Sequence, residues 1–328
     1  HGDTNPDGPG FKEELIHSNI SDMYPGKKQE IHAGSYIFIP HNNLFNLQSF
    51  TLCAYIYPTT PYVDVEGVEV GTQAIITKWD DENETGYGIF INEHGELCLK
   101  IGHGKGKVEE FSTGKPLYRK IWYKVGATFD ASSGKVSVFQ EPYVTHTNSG
   151  HGMSMLHPKE DTSGEYHGSS LMGGPTANDC PILMAASTIK SSSGRTLSGG
   201  HFNYLDEPHE IPIHTNKYNG KIERPKIANK ALAQHEIEIL LSCQGIENVS
   251  NELKEVVIGA WNFNANIVPN ASSTEIIDES LCKWNGCGIN MPVRGVPGFN
   301  WTSDYMSFLH GPQEYGAIHF HDESVDDA

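Results

Sequence analysis

The chain has 328 residues, and this length suits one large β domain or two medium ones. Its 23 basic and 41 acidic residues give a net charge of −18, which argues against nucleic acid and anionic membrane surfaces as partners. No apolar run approaches the roughly 18 residues that are needed to span a bilayer.

The chain opens on HGDTNPDGPG, which is not a signal-type leader. Because it opens on His1 and not on Met, we expect a processed product or an excised piece. Its six cysteines include no CxxC pair, and they predict neither a zinc knuckle nor a disulfide scaffold. Cys53 and Cys98 lie within apolar, strand-like runs, which favours buried free thiols. This usage of cysteine indicates a reducing compartment, and we expect a cytoplasmic protein.

Residues 29 to about 141 read as short β-strands that are separated by Gly, Asn and Asp turns. The strand-like runs are SYIFIP, FTLCAYIYP, QAIITKW, YGIFIN, ELCLKIG, KVEEFS, IWYKVGATFD and KVSVFQ. With little helical periodicity between them, they predict a mostly β protein with an antiparallel two-sheet sandwich or jelly roll. Alternation in IWYKVGATFD predicts one apolar face, formed by Tyr123, Val125, Ala127 and Phe129.

The segment at about 142–180 is rich in Gly, Ser, Thr and His and shows neither the helical nor the strand periodicity of apolar residues, so it predicts a long surface insertion. A second long loop, KSSSGRTLSGGHFNYLDEPHEIPIHTN, follows the strand PILMAAS. Long loops on a rigid sandwich often carry binding function, but a structureless connection is the simpler interpretation.

Residues 221–228 predict a strand that leads into one short helix. The apolar stripe expected on that helix consists of Ala231, Leu232, His235, Ile239, Leu240 and Leu241, with Ile237 near it. Another strand, VVIGAWNFN, follows. We therefore predict an N-terminal arm at 1–28, the sandwich at 29–250 and additional strands with a connector at 251–328. The last part either forms a small second unit or completes the sheets.

The order of these runs, with a strand followed by a short helix at YNGKIERPKIANKALAQHEIEIL, resembles the laminin-G-like, concanavalin-A-like sandwich over residues 30 to 245. The flanking motifs are more diagnostic. HGDTNPDGPGFKEE near the start and VRGVPGFNWTSDYMSFLHGPQEYGAIHFHDESVDDA at the end resemble the large subunit of N,N-dimethylformamidase.

That resemblance implies a lectin-like sandwich followed by a larger catalytic domain, in which tyrosine and carboxylate side chains hold one iron that activates water for amide hydrolysis. The iron ligands belong to a region after the sandwich, so no tyrosine of this chain is assigned to iron. It also implies a non-catalytic role for this chain in assembly and active-site shielding. The expected partners are the catalytic domain of the same parent chain and a small subunit, in an oligomer.

The terminal run IHFHDE predicts a strand with His319 and His321 on one face. With the carboxylates that follow, two such imidazoles can bind zinc, iron or nickel. A third ligand must come from elsewhere, and His310 and the His1-Gly2-Asp3 start are the candidates. The alternative is a pair of surface histidines next to an acidic tail.

KWDDENETGYG places several oxygen ligands in one turn, and relatives of this sandwich often hold Ca²⁺ at a sheet rim. The calcium candidates are Asp80, Asp81 and Asn83, together with Glu223. Many relatives carry Asp where Glu223 stands, which is a departure from their pattern. The alternative interpretation is a solvated acidic turn.

The chain has no GxSxG elbow and no Glu-x-Asp strand motif, so we expect neither a serine nucleophile nor a glycosidase site. Exposed aromatic rings could stack on sugars, and the candidates are Tyr36, Trp79, Tyr87 and Tyr204. Aromatic residues at strand spacing are more often part of a core. If the candidate calcium ligands and the candidate aromatic rings do form a site, the alternative function is a calcium-dependent carbohydrate-binding module.

Overall fold

The computed structural model describes residues 35–62, 70–143, 162–190, 196–197, 209–210, 213–243, 245–263, 274–289, 292–296, 298 and 317–320. Within these ranges it has twenty β-strands, two short α-helices and a 3-10 helix at Asn43–Phe45. The longest helix has eight residues, and no helix in the described ranges is long and apolar enough to cross a membrane. The predicted mostly β fold is confirmed.

The strands that build the sandwich are β1 (Tyr36–Ile39), β2 (Phe50–Pro58), β3 (Gln73–Asp80), β4 (Thr85–Ile91), β5 (Glu96–His103), β6 (Val108–Pro116), β7 (Tyr123–Asp130), β8 (Lys135–Pro142), β9 (Gly164–Ser169) and β10 (Ile182–Met184). Next come β11 (Ser187–Lys190), β12 (Thr196–Leu197), β13 (His209–Glu210), β14 (Ile213–Thr215), β15 (Gly220–Ala228), β16 (Val257–Asn262), β17 (Glu275–Asp278), β18 (Gly286–Ile289), β19 (Val293–Val296) and β20 (Ala317–Phe320). The helices are α1 (Gln234–Leu241) and α2 (Asn251–Val256). Each strand-like run recognised before position 142 is a strand, which confirms that part of the prediction.

Two sheets form the layers. The first has the order β6-β5-β4-β3-β10-β1-β18-β17, with β11 and β14 added beside β3. The second has the order β9-β8-β7-β2-β15, and the far edge of β15 pairs with β16 at one end and with β20 at the other. Pairing of Trp261 with Asp278 joins β16 to β17 and so connects the two sheets. Among these pairings only the Thr188–Asp80 bridge is parallel.

The main core lies between the sheets and takes one face of each strand. In β7 the predicted apolar face is confirmed, because Tyr123, Val125, Ala127 and Phe129 are all fully buried. The facing side chains of the first sheet include Ile89 and Leu99, which belong to the same cluster. Because successive side chains of a strand point to opposite faces, each sheet directs one apolar face into the space between the two sheets.

A second apolar cluster lies on the outer side of the second sheet, where α1 and α2 pack over Cys53, Tyr55 and Phe139. The buried residues of α1 are Ile237, Leu240 and Leu241. Leu240 and Leu241 are buried as predicted, but the prediction is wrong for Ile239, which is 45% exposed, and for His235, which is also exposed. Ile237 belongs to the buried face since residues three and four apart share one side of a helix.

The prediction of one short helix missed α2. This helix begins after Ser250, whose hydroxyl accepts a hydrogen bond from the Leu253 N–H at 3.3 Å, and Glu252 lies in its first turn. The strands that follow it pair with sandwich strands, which matches the alternative in which the end of the chain completes the sheets. The domain limits at 28 and 250 stay predictions.

The insertion at about 142–180 contains a strand that the sequence pattern did not reveal. Residues 144–161 lie outside the described part, but β9 pairs with β8 from Lys135–Ser169 to Gln140–Gly164. The described end of this segment, residues 170–180, returns to the first sheet at β10. One strand of the insertion, β9, is therefore part of the sandwich.

Candidate functional site

The acidic turn between β3 and β4 is held together by its own hydrogen bonds. One Asp80 carboxylate oxygen accepts the N–H groups of Glu82 and Asn83, each at 3.1 Å, and the other accepts the Asn83 amide at 2.8 Å. The Asp81 carboxylate accepts the indole N–H of Trp79 at 3.1 Å. Hydrogen bonds to the Asp80 carboxylate close the turn, because Asx side chains readily bond to the following backbone. Calcium binding at Asp80, Asp81 and Asn83 stays a prediction.

Glu223, the fourth calcium candidate, lies elsewhere. It pairs with Tyr55 on the outer side of the second sheet, whereas the acidic turn lies at an end of the first sheet. Its side chain is fully buried, and Cβ at Gly298 would lie only 2.4 Å from its carboxylate. The structure therefore does not bring Glu223 to the turn. Within the described ranges no group of three or more His, Cys, Asp and Glu could hold a metal ion.

The terminal strand is present as β20, in which Ile318 and Phe320 are fully buried in the core. His319 is half-buried on the opposite face, at the register positions of Lys221 and Val293 on the neighbouring strands. The other proposed ligands of this site, His321, His310 and the first residues, lie outside the described ranges. The transition-metal site thus stays a prediction.

The aromatic residues proposed as a sugar platform are buried. Tyr36, Trp79 and Tyr87 are only 2–3% exposed. Tyr87 stacks on Phe50 with ring centroids 4.4 Å apart. The platform prediction is wrong for these three residues, since no ring among them faces solvent, and Tyr204 lies outside the described ranges.

A Ser-His-Glu row crosses the outer side of β8 and β9, which the sequence did not suggest. Ser137 Oγ lies 3.1 Å from His167 Nδ1, and His167 Nε2 lies 3.5 Å from the Glu165 carboxylate. The order matches that of a nucleophile, its base and an orienting acid. However, the His167 side chain is 69% exposed. Because β8 is paired on both sides here, its N–H groups are engaged in the sheet and are not free to stabilise an oxyanion.

A β-bulge in β15 places charged side chains on the face of the second sheet that the helices pack against. Glu223 pairs with Tyr55 and Lys226 with Cys53, so Arg224 and Pro225 together stand opposite one residue of β2. Arg224 has a φ of 52°, and Pro225 has no N–H to lose from the ladder. The bulge therefore turns two cationic side chains towards α1.

These two cations bond to the carbonyl groups at the C-terminal end of α1. Arg224 Nη1 donates to the Leu241 carbonyl at 2.8 Å, and Lys226 Nζ donates to the Cys243 carbonyl at 2.9 Å. The last turn of α1 has no basic residue of its own. The strand thus supplies the positive charge that a helix C-terminus favours and satisfies carbonyls that lack helical partners.

Burial lowers the pKa of Lys226 to about 8 and raises the pKa of the neighbouring Cys53 thiol to about 12. Lys78 is a similar case in the first sheet, where burial lowers its pKa to about 8 and its Nζ donates to the Cys180 carbonyl at 2.7 Å. A protonated, buried thiol is a poor nucleophile. These buried ionisable groups hold backbone segments together.

The family comparison agrees with this architecture. Residues 32–163 match the model described as the concanavalin A-like lectin/glucanases superfamily. Together with the two antiparallel layers, the match defines the fold class as a concanavalin A-like β-sandwich.

At the level of individual proteins, the chain is similar to the N,N-dimethylformamidase beta subunits of Alcaligenes sp and Paracoccus aminophilus. It is 30% identical to each, over 334 and 330 residues respectively, and all of this chain is aligned. The chain spans only 39% of the length of these relatives. Both are named beta subunits, so the expected large-subunit designation is not confirmed.

Among solved structures, a candidate carbohydrate binding protein from Bacteroides ovatus is 16% identical, with a TM-score of 0.44 over 78% of this chain and 57% of that one. A heptameric SAP-like pentraxin from Limulus polyphemus is 15% identical, with a TM-score of 0.35 over 69% and 83%. At these scores the likenesses say nothing about function.

Proposed function

We propose that this chain is the non-catalytic, lectin-like part of an amide hydrolase that resembles N,N-dimethylformamidase. It supports assembly of the enzyme and shields the active site. Hydrolysis of a small amide takes place in a separate catalytic part, where an iron ion activates water. The chain works in the cytoplasm within an oligomer that includes a small subunit.

The observation that carries this proposal is the alignment with the two beta subunits. All of this chain is aligned at 30% identity, whereas only 39% of each relative is covered. A sandwich that occupies two fifths of such a polypeptide leaves ample length for a catalytic part.

The use of buried charge supports a structural role. Arg224 and Lys226 bond to the end of α1, and Lys78 bonds to the segment before β10. Catalytic acids and bases are instead expected to face a cleft with a suitable pKa. In the described ranges, the charged groups discussed above stabilise connections between segments.

The test compares this chain with the product of its complete gene, co-expressed with any subunit encoded beside it. Release of dimethylamine from dimethylformamide is measured after supply of iron. We expect no release by the isolated chain, release by the complete product, and loss of the assembly when the sandwich is deleted. Amide hydrolysis by the isolated chain, or full activity and unchanged assembly after the deletion, would contradict the proposal.

The same samples separate this function from carbohydrate binding. Affinity electrophoresis and a glycan array, each with CaCl2 and with EDTA, are expected to show no binding by the isolated chain. Calcium-dependent retention on a glycan would support the carbohydrate-binding module instead.

A further inference from the structure

The open edges of the two sheets meet along β6 and β9. Within the described ranges β6 pairs only with β5 and β9 only with β8, so no backbone ladder joins the two strands. Side chains span the gap between them instead. A Cβ at Gly164 would lie only 2.9 Å from that of Thr113, and the rings of Tyr166 and Phe111 have centroids 5.5 Å apart. We call this line of contacts between β6 and β9 the seam.

A nearly buried carboxylate closes one end of the seam. Glu109 of β6 accepts the Ser170 hydroxyl at 2.5 Å and the Leu171 N–H at 2.8 Å, just after the end of β9. His103 Nε2 at the end of β5 lies 3.1 Å from the same carboxylate, and the side chains of His103 and Glu109 are only 9% and 12% exposed. We call Glu109 and the three residues that face it the Glu109 clasp.

The other end of the seam is fastened by an uncharged side chain. Gln140 of β8 is 1% exposed. Its amide accepts the Thr113 hydroxyl at 2.8 Å and donates to the carbonyl groups of Lys115 and Thr162, each at 3.0 Å. Because amides, hydroxyls and carbonyls keep their protonation state in mild acid, the two ends of the seam differ in their response to pH.

We propose that the Glu109 clasp is a proton-sensitive closure of the sandwich edge, and that the seam opens from this end when Glu109 takes up a proton. Both carboxylate oxygens face donors in the clasp, one from Leu171 and the other from Ser170 and His103. An added proton on either oxygen competes with a donor that is already there, and the charge-assisted hydrogen bonds are lost. The clasp lies within this chain, so this closure is independent of the proposed function.

The groups around Glu109 favour its ionised form. Burial raises the pKa of the carboxyl, but the hydrogen bonds from Ser170, Leu171 and His103 outweigh burial, so the pKa is lowered. Among the described contacts of Glu109, β5 contributes the titratable His103, whereas the turn after β9 contributes a hydroxyl and an N–H. A carboxyl with a lowered pKa stabilises the closed state fully above its ordinary pKa of 4.5, and this stabilisation is lost as the pH falls. Opening is therefore coupled to proton uptake in acid.

Opening of the seam would expose the edges of β6 and β9. Unpaired strand edges carry N–H and C=O groups that pair with strands of other chains. The clasp therefore controls whether this edge of the sandwich is available for such pairing.

The test measures hydrogen–deuterium exchange of the purified chain from pH 6 to pH 3. Exchange of peptides over residues 164–173, corrected for the intrinsic rate, gives the equilibrium constant for opening at the clasp. Strand β7 lies in the middle of the second sheet and reports global unfolding. We expect the opening constant to rise by at least about tenfold, the factor that one charge-assisted hydrogen bond provides, while β7 stays protected. Residues 113–115 at the uncharged end should change less.

Three variants assign the response to the clasp. Glu109→Gln cannot gain a proton, so its opening constant should exceed that of wild type at pH 6 and should not rise towards pH 3. Ser170→Ala removes one donor and should reduce the rise, which keeps the test decisive if Glu109→Gln does not fold. Glu165→Gln is the matched control, because this carboxylate of β9 is 56% exposed and lies beside His167. It should respond like wild type.

Three other results would overturn the proposal. These are an opening constant that does not change with pH in the wild-type chain, an equal rise in Glu109→Gln, and an equal loss of protection in β7. Loss of the response in Glu165→Gln would assign it to that carboxylate and overturn the proposal as well.

Discussion

The packing of α1 makes a matched pair of substitutions informative. Ile237 is 1% exposed and Ile239 is 45% exposed, two positions apart on the same helix. Ile237→Ala removes apolar atoms from the cluster that α1 forms over the second sheet, and truncation of a buried Ile to Ala costs about 2–5 kcal/mol. Ile239→Ala should cost less than about 1 kcal/mol, since surface substitutions are usually small and alanine has the higher helix propensity.

The assay is urea unfolding of the isolated chain, followed by tryptophan fluorescence and by far-UV circular dichroism. Two coincident transitions establish that a single free energy of unfolding describes each variant. We expect a lower midpoint for Ile237→Ala with little change in the slope. Equal losses for both variants, or the larger loss for Ile239→Ala, would refute the assignment of the buried face.

Three other substitutions test the buried and turn-forming charges. Burial favours the neutral form of Lys226, so the unfolded chain binds the proton more tightly between pH 8 and 10.5. Wild type should therefore gain stability relative to Lys226→Met across that range, on the order of 3 kcal/mol, and a pH-independent difference in urea titrations would contradict this. Because the pKa of Glu109 is lowered in the folded chain, its carboxylate stabilises the fold fully above about pH 4.5, and this stabilisation is lost at lower pH. Thermal scans from pH 6 to 3 should therefore show a steeper loss of stability for wild type than for Glu109→Gln. Asp80→Ala should cost about 1 kcal/mol in EDTA, because the carboxylate bonds to the turn itself; a loss that appears only with calcium would instead indicate an ion site.

Most strands were predictable because the features that mark them lie within their own residues and the turns beside them. Runs such as FTLCAYIYP and IWYKVGATFD have strand length, β-branched or aromatic residues and turn residues at their ends, and each is a strand in the structure. The strand β9, with the sequence GEYHGS, has two glycines and few apolar groups. It is a strand because β8 offers an edge and Tyr166 packs against Phe111, and neither fact is visible in its own residues.

The contacts of the charged residues in β15 were not predictable, because, as for β9, they depend on residues far away in the sequence. ERPK within an otherwise strand-like run contains a proline, and a proline inside a strand is a sequence signal for a bulge. The destination of Arg224 and Lys226 depends on where α1 ends in space, which no local pattern encodes. Glu223 was a calcium candidate because many relatives of this sandwich carry Asp at its position, yet its strand places it on the outer side of the second sheet, away from the acidic turn.

The distribution of apolar groups limits where function can reside. In the described ranges, the space between the sheets holds one continuous apolar cluster that includes Phe50, Tyr87 and Trp261. The helices α1 and α2 cover the outer side of the second sheet around Cys53 and Tyr55, whereas His167 on β9 stays exposed on the same side. What the described part of the chain presents to a partner is thus its surface, where Leu171 and Met172, for example, are 94% and 53% exposed. The proposed assembly role therefore depends on contacts at this surface rather than on the apolar space between the sheets.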